Sequence, residues 1–287
     1  MATQLKANAK KRVKASARQE ASAAKAAKRI HSVKAGRYFF KGLIYARGKM
    51  GKTTFGASGG AIGLKTLIID FNEEGQIAVN KQPNVDVYTV EYWDELDWIY
   101  WYLRSGKHDY KVVVLDTVTS MASICMKWVL GDLESRDANR EPMIPDKRAW
   151  GKLGELMKLR IVDFRNLPMH VVFTAHERTT TVEDEETDAV FTEVVPSLSP
   201  APREALIGAV HLIGRLFTRE VEVKSKKSGK TRRISERRLL IGPDPKYVSG
   251  IRLDKDAKVQ PPRVVRNPTL GYFIDLMIPQ KENQVGG

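Results

Sequence analysis

Leu43-Ile44-Tyr45-Ala46-Arg47-Gly48-Lys49-Met50-Gly51-Lys52-Thr53-Thr54 decides how this chain reads. An apolar run, Leu43 to Tyr45, feeds a turn of small residues and glycines, and Gly-Lys-Thr-Thr closes it before helix-compatible residues resume. That is the layout of a strand, a phosphate loop and a helix. Glycines let the backbone curl until successive N–H groups point at one phosphate, and the helix N-terminus adds the positive end of its dipole. Arg47, Gly48, Lys49, Met50, Gly51, Lys52, Thr53 and Thr54 are therefore the candidate nucleotide cradle. In it Lys52 would reach the β- and γ-phosphates, and the Thr53 hydroxyl would sit on a magnesium ion. Ala46 holds the first position of G-x-x-x-x-G-K-[ST], and alanine is small enough to keep the turn tight at negative φ.

Outward from this loop the chain alternates strand and helix. Phe39 to Tyr45 reads as a strand, Lys52 to Ile62 as a helix, and Lys65 to Asp70 as a buried strand ending in a carboxylate. Val85 to Val90 starts with apolar and polar residues in alternation, which suits a strand nearer a sheet edge. Glu91 to Leu103 reads as a helix in which Trp98, Trp101 and Tyr102 fall at i, i+3, i+4, a stripe expected to face the core in preference to forming a base-stacking platform. Lys111 to Asp116 is the clearest buried strand, followed by a helix over Ser120 to Leu130, a loop over Gly131 to Asp146, and an amphipathic helix over Trp150 to Asn166. Met169 to Ala175 is a further strand, closing on His176-Glu177. Near-continuous apolar strands alternating with helices indicate an α/β fold, a mainly parallel central sheet with helices on both faces. Ligands of such sheets bind at the carboxyl ends of the strands.

After Glu177 the pattern changes. Arg178 to Thr192 is polar, Thr-rich and acidic, with Glu183-Asp184-Glu185-Glu186 at its centre. It is either a loop or the turn of a hairpin. Leu216 to Val223 and Arg233 to Ile241 pair as a second hairpin across Lys224 to Lys230, a basic Gly/Ser turn read as solvated charge in preference to a DNA contact. Tyr272 to Ile278 is the last apolar segment.

Charge is unevenly placed. Residues 1–37 hold 11 Lys or Arg against the single acid Glu20, a net +10, while the remainder has 37 bases and 33 acids, a net +4. Residues 1–36, without Phe, Trp or Tyr, bury too little surface to offset their ordering entropy and read as a basic arm that is disordered or a frayed helix, since Ala and Lys favour helix. Such an arm serves either as a nucleic-acid contact or as a solubilising tail. The single cysteine, Cys125, excludes an intrachain disulfide and a multi-cysteine metal site, and its apolar neighbours make it a core thiol. No apolar run reaches the ~20 residues of a membrane span, and no export signal is visible, so a cytoplasmic location is expected.

The polar groups at the strand ends complete the picture. Asp116, after Val112-Val113-Val114-Leu115, is where a metal-organising carboxylate belongs, opposite Thr53. A base for the attacking water is sought in Asp70-Phe71-Asn72-Glu73-Glu74-Gly75, with Glu73 preferred to Glu74. His176, just beyond its strand, stands where it could hydrogen-bond the γ-phosphate and pass its presence to the following segment.

These residues resemble, in order and spacing, the phage-encoded RecA-like P-loop ATPases, some of which are single-strand annealing or recombination ATPases. The matching pieces are Ile44 to Thr54, the strand to Asp70 with Glu73-Glu74-Gly75, Val114-Leu115-Asp116-Thr117 and Phe173-Thr174-Ala175-His176-Glu177. The resemblance spans Tyr38 to Asp254. It implies a RecA-like ATPase domain over residues 37–256, between the arm (1–36) and a C-terminal extension (257–287). ATP and Mg2+ are the implied cofactors, with metal ligands Thr53 and Asp116 and a sensor at His176. A DNA-facing loop is implied at Arg178 to Thr192. Relatives use a Lys-x-Arg element to reach a neighbouring subunit's nucleotide; here Gly250-Ile251-Arg252 keeps the arginine without the lysine. The implied partners are single-stranded DNA, further copies of the chain in a ring or filament, and a single-strand-binding protein. The rival functions are a helicase- or partition-type motor and a nucleotide-dependent adaptor that recruits replication proteins.

Overall fold

The computed structural model describes residues 19, 21–28, 30, 38–137, 139, 141–183, 190–224, 231–253 and 259–278. Most of the basic arm, the acidic run from residue 184, the basic turn at 225–230 and the end from residue 279 lie outside the described residues. The chain divides into two units, Met1–Tyr38 and Phe39–Gly287. In the first, residues 21–27 are helical and exposed.

The second unit is built on one sheet. Strand β1 (Lys41–Ala46) leads through the phosphate loop into helix α1 (Lys52–Ala61), and β2 (Thr66–Asp70) leads through a 3-10 turn (Gly75–Val79) to β3 (Val85–Thr89). Helix α2 (Glu95–Ser105), β4 (Val112–Asp116) and the long helices α3 (Val118–Arg136) and α4 (Lys147–Arg165) follow. Then come β5 (His170–Glu183), β6 (Val190–Pro196), α5 (Pro200–Ala209), β7 (Leu212–Lys224) and β8 (Thr231–Leu240). Short strands β9 (Gly250–Ile251) and β10 (Val264–Arg266) and helix α6 (Leu270–Met277) close the fold.

The strand order is β10-β8-β7-β1-β5-β4-β2-β3, with β6 paired to β5 and β9 to β7. All contacts from β7 through β1, β5, β4 and β2 to β3 are parallel, whereas the hairpin partners β6 and β8 and the short strands β9 and β10 run antiparallel. Strand β5 is inserted between the strand of the phosphate loop and that of Asp116. The mostly parallel α/β architecture is as expected, and β3 is indeed an edge strand. The acidic segment after Glu177 takes the hairpin alternative, because β5 runs on to Glu183 and pairs with β6.

Every residue of β1, β2 and β4 is buried. Alternate side chains reach opposite layers, as strand geometry requires. Leu43, Tyr45, Val113, Leu115 and Phe173 pack with Met121 and Cys125 of α3 and with Leu153 and Met157 of α4. Ile44, Val112, Val114 and Val172 pack with Phe55 of α1 and Phe273 of α6. Burial holds the Cys125 thiol up at about 12. Three glycines in the phosphate-loop helix would weaken it in isolation, but they let it sit close: a Cβ on Gly60 would stand 2.2 Å from the Pro83 carbonyl oxygen.

The aromatic stripe of α2 is a correction. Trp98 and Trp101 are 67% and 64% exposed and Tyr102 is 46% exposed, while Leu96, Ile99 and Leu103 form the buried face. Two apolar stripes lie on opposite sides of this helix. The aliphatic one lies against the sheet, and on the flank Tyr100 packs edge-on to Phe164 of α4 at 5.9 Å between ring centroids. Among the described residues, no helix is long and apolar enough to cross a membrane.

Two stability outcomes follow from this packing. Leu103→Ala costs about 2–5 kcal/mol in urea unfolding, whereas Trp98→Gln and Trp101→Gln each stay within roughly 0.5 kcal/mol of the parent. The second concerns His170, whose Nδ1 accepts the Phe40 N–H at 3.0 Å. Burial, helped by the Lys41 charge, lowers its pKa from the ordinary 6.5 to about 4. Between those values the unfolded chain binds the extra proton, so this contribution is complete above pH 6.5 and is lost as pH falls toward 4. His170→Asn, whose side-chain oxygen can take the same N–H, therefore loses less stability between pH 7 and pH 4, by up to about 3 kcal/mol.

Candidate active site

The phosphate loop spans the gap between the end of β1 and the start of α1. Gly51, just before the helix, has φ 96°, a left-handed conformation that a side chain would strain. Lys52 then opens the helix with its ammonium buried: Nζ donates to the Arg47 carbonyl at 3.3 Å and lies 3.4 Å from His176 Nδ1. Burial lowers the Lys52 pKa, against the opposing pull of the Asp116, Glu73 and Glu177 carboxylates.

Thr53 and Asp116 meet as expected. The Thr53 hydroxyl donates to Asp116 Oδ2 at 2.5 Å, and the other carboxylate oxygen accepts from Thr174 of β5, also at 2.5 Å. Asp70 ends the neighbouring strand in register with Asp116. Its carboxyl is raised by burial against hydrogen bonds from the Glu73 and Glu74 backbone, and its Oδ2 has no hydrogen-bond partner among the described residues. The turn after β2 folds over this group. A Cβ on Gly75 would come within 2.7 Å of Thr53 Oγ1 and 3.2 Å of Asp116 Oδ2.

This donor set fits Mg2+. The Thr53 hydroxyl and the Asp116 carboxylate are hard oxygens, and the unpartnered Asp70 oxygen ends the adjoining strand. Among the described residues, no group of three or more His, Cys, Asp or Glu could hold a metal alone. A cation here would complete its shell with phosphate oxygens and water, as magnesium does.

Of the two glutamates, Glu73 has the elaborated environment. It accepts from Thr117 at 2.6 Å, from the Ser120 hydroxyl, and from His176 Nε2 at 3.1 Å. Burial acts to raise the Glu73 carboxyl, but the bonds from His176, Ser120 and Thr117 outweigh it and hold the pKa at about 2. Glu74 lines the same cavity. His176 bridges the two charges. The Lys52 ammonium can only donate, so Nδ1 accepts, and the proton on Nε2 is directed to Glu73.

A cavity of about 980 Å3 collects Lys52, Thr53, Glu73, Asp116 and His176, and β7 and β8 complete its wall with Thr218, Ser235 and Arg237. Arg237 was not legible in the sequence: nothing in its local pattern relates it to the loop, yet its Cδ would lie 2.9 Å from a Cβ on Gly51. Thr117, Ser120 and Thr174 were missed as well; for Thr117 and Ser120 the hydroxyl run directly after Asp116 was the available signal, and Thr174 had none. Arg47 leaves the cradle to pair with Glu177 at 3.0 Å, and Arg215 of β7 holds the other oxygen of that carboxylate at 2.9 Å.

Arg252 is not brought to the site of its own chain. It follows β9, which pairs with the beginning of β7, and its backbone N–H donates to the His211 carbonyl. Leu212 is in register with Gly42 near the start of β1, so Arg252 lies at the opposite end of the strands from the phosphate loop.

A phosphate loop, a metal-competent Thr–Asp pair and polar groups at the carboxyl ends of a parallel sheet define a P-loop nucleotide-binding ATPase. The AAA domain family model matches residues 39–253, and the chain belongs to that family. No curated protein matches the chain.

Lys52→Ala should abolish ATP hydrolysis with an unchanged thermal unfolding midpoint. If Glu73 is the base, Glu73→Gln lowers turnover about 10²-fold or more while ATP still binds, and Glu74→Gln stays near the parent. Turnover and nucleotide affinity measured on the three variants check the assignment.

Proposed function

We propose that this protein is an Mg2+-dependent ATPase of DNA metabolism that binds single-stranded DNA and promotes annealing or strand exchange, in the manner of the phage recombination ATPases it resembles. The observation that carries the reading is the position of His176. It touches both the phosphate-loop lysine and Glu73, and it lies on β5 where that strand leaves the sheet to become the β5–β6 hairpin. The occupancy of the γ-phosphate position thereby has a direct route to an outer element of the fold.

In this reading Lys52 and the loop amides hold the phosphates, Thr53 and Asp116 hold the metal, and Glu73 orients the attacking water. Bound Mg2+ supplies Lewis-acid stabilisation of the charge that develops on the transferred phosphoryl group. Glu73 is held by three donors, so turnover would be low until something engages His176. The net +10 of residues 1–37 supports a polyanion as the partner. Assembly into a ring or filament would let Arg252 act on a neighbour's nucleotide.

Gly250, standing where the resemblance expects a lysine, favours a second reading: a nucleotide-dependent adaptor that recruits replication proteins and hydrolyses little. ATPase rate with and without a single-stranded oligonucleotide, with particle size measured on the same samples, separates the two. Stimulation by the oligonucleotide supports the first reading. ATP binding with no stimulation and no oligonucleotide binding at low salt sinks it and selects the adaptor.

A further inference from the structure

Two hairpins leave the carboxyl edge of the sheet on either side of the phosphate loop. Strand β5 pairs with β1 as far as His176 and then continues to Glu183 against β6. On the other side, β7 pairs with β1 only over Leu212–Arg215 and continues to Lys224, paired with β8 throughout. Their charges are opposite. Residues 177–196 carry seven acids and one base, whereas residues 212–240 carry ten bases and three acids, a net +7. Residues 38–287 total +4, so the β7–β8 hairpin holds more than the whole positive charge of the unit and the remainder is net −3.

The described part of the basic hairpin carries this charge outward. Arg219, Lys224, Arg232 and Arg233 are all exposed. Arg233 faces Glu222 at 3.3 Å, a largely solvated pair that holds little energy. Arg219, Lys224 and Arg232 make no ion pair among the described residues. Glu236, opposite Arg219 in the register, is engaged by Arg238 at 2.6 Å instead.

We infer that the β7–β8 hairpin is the surface that holds the phosphate backbone of single-stranded nucleic acid, in place of the acidic β5–β6 hairpin to which the family resemblance points. The inference rests on the proposed nucleic-acid reading and deepens it. By sequence the β5–β6 segment is net −6 and the β7–β8 segment net +7, so phosphates are repelled by the first and attracted by the second, which favours the β7–β8 side. The same hairpin reaches the nucleotide. Ser235 and Arg237 line the phosphate cavity, with Thr218 opposite Arg237. Arg233 lies on the same face two residues beyond Ser235, as a period of two requires. Nucleic acid on the outer half of β8 and nucleotide on its inner half would therefore act through one strand.

The test is binding of a fluorescent 30-nucleotide oligothymidylate to the full chain over a salt series. The forms compared are the parent, K224E/R233E, K224Q/R233Q and E185Q/E186Q, with thermal unfolding and particle size recorded for each; Lys224 and Arg233 share one face of the hairpin. The glutamine pair keeps side-chain length and guards against a misfolded charge reversal. The basic arm remains in every form, so the slope of log affinity against log salt is the main readout. Each phosphate contact on a single strand contributes about 0.7 to that slope, so removing two lowers it by about 1.4, and K224E/R233E should bind at least roughly tenfold more weakly near 0.1 M salt. E185Q/E186Q should bind as tightly as the parent or more tightly.

Unchanged affinity and slope in both hairpin variants, beside a parent that binds, overturns the inference and leaves the nucleic-acid reading standing. The same result with a smaller particle size assigns the basic hairpin to the acidic hairpin of a second copy, and also overturns it. Weaker binding by E185Q/E186Q would return the contact to β5–β6. A parent that binds no oligothymidylate at low salt sinks the nucleic-acid reading itself.

Discussion

Asp116 divides its two carboxylate oxygens between Thr53 and Thr174, and the geometry of the site depends on that division. One hydrogen bond ties the first turn of the phosphate-loop helix to β4. The other ties β5 to the same carboxylate, and β5 is the strand inserted between β1 and β4. With Thr174 pinned, the period of two along β5 places His176 on the same side of the strand, one step further out. That step brings its ring to Lys52 and Glu73. A single buried acid thus sets the relative phase of three elements, and the Thr53–Asp116 contact and the position of His176 are two consequences of one constraint.

The charges around Asp116 form a closed set. Among the described residues Lys52 is the ammonium that faces Glu73 and Asp116, and His176 relays its donation to Glu73. A carboxyl held at about 2 is ionised throughout the physiological range but is a weak base while its three donors remain. In the proposed reaction a triphosphate changes this balance, because its terminal oxygens compete for the Lys52 and His176 protons that now stabilise Glu73. Releasing His176 loosens Glu73 and perturbs the root of the β5–β6 hairpin at once. In that proposed reading, activation of the base and signalling to the exterior would be the same event.

The elements with local signatures were readable from the sequence. The phosphate loop announces itself because strand, glycine turn and Lys-Thr must be contiguous, and Asp116 because a fully buried strand of four aliphatic residues exposes its polar end at the ligand edge. The aromatic helix shows where periodicity stops being informative. Trp98-Trp101-Tyr102 and Leu96-Ile99-Leu103 are both valid helical stripes, and only the neighbouring sheet and α4 select the aliphatic one. Thr174 is a single hydroxyl in an apolar strand, carrying no pattern of its own; its role exists only once β5 lies beside β4. Arg237 reaches the phosphate loop because β7 is the other neighbour of β1 and β8 pairs with β7, a fact of strand order that composition does not contain.

Strand order also restricts how copies of this chain could complete one another's sites. The phosphate loop stands at the carboxyl ends of the parallel strands, and Arg252 follows β9 at their amino ends. For Arg252 of one copy to reach the nucleotide of another, the amino edge of the first sheet must face the carboxyl edge of the second. Two different surfaces meet in such a contact, so it is heterologous and repeats head to tail. A closed two-fold dimer uses one self-complementary patch and cannot satisfy it by that contact alone. If the arginine acts between copies, the fold therefore requires a ring, where the rotation per copy closes, or a filament, where it does not.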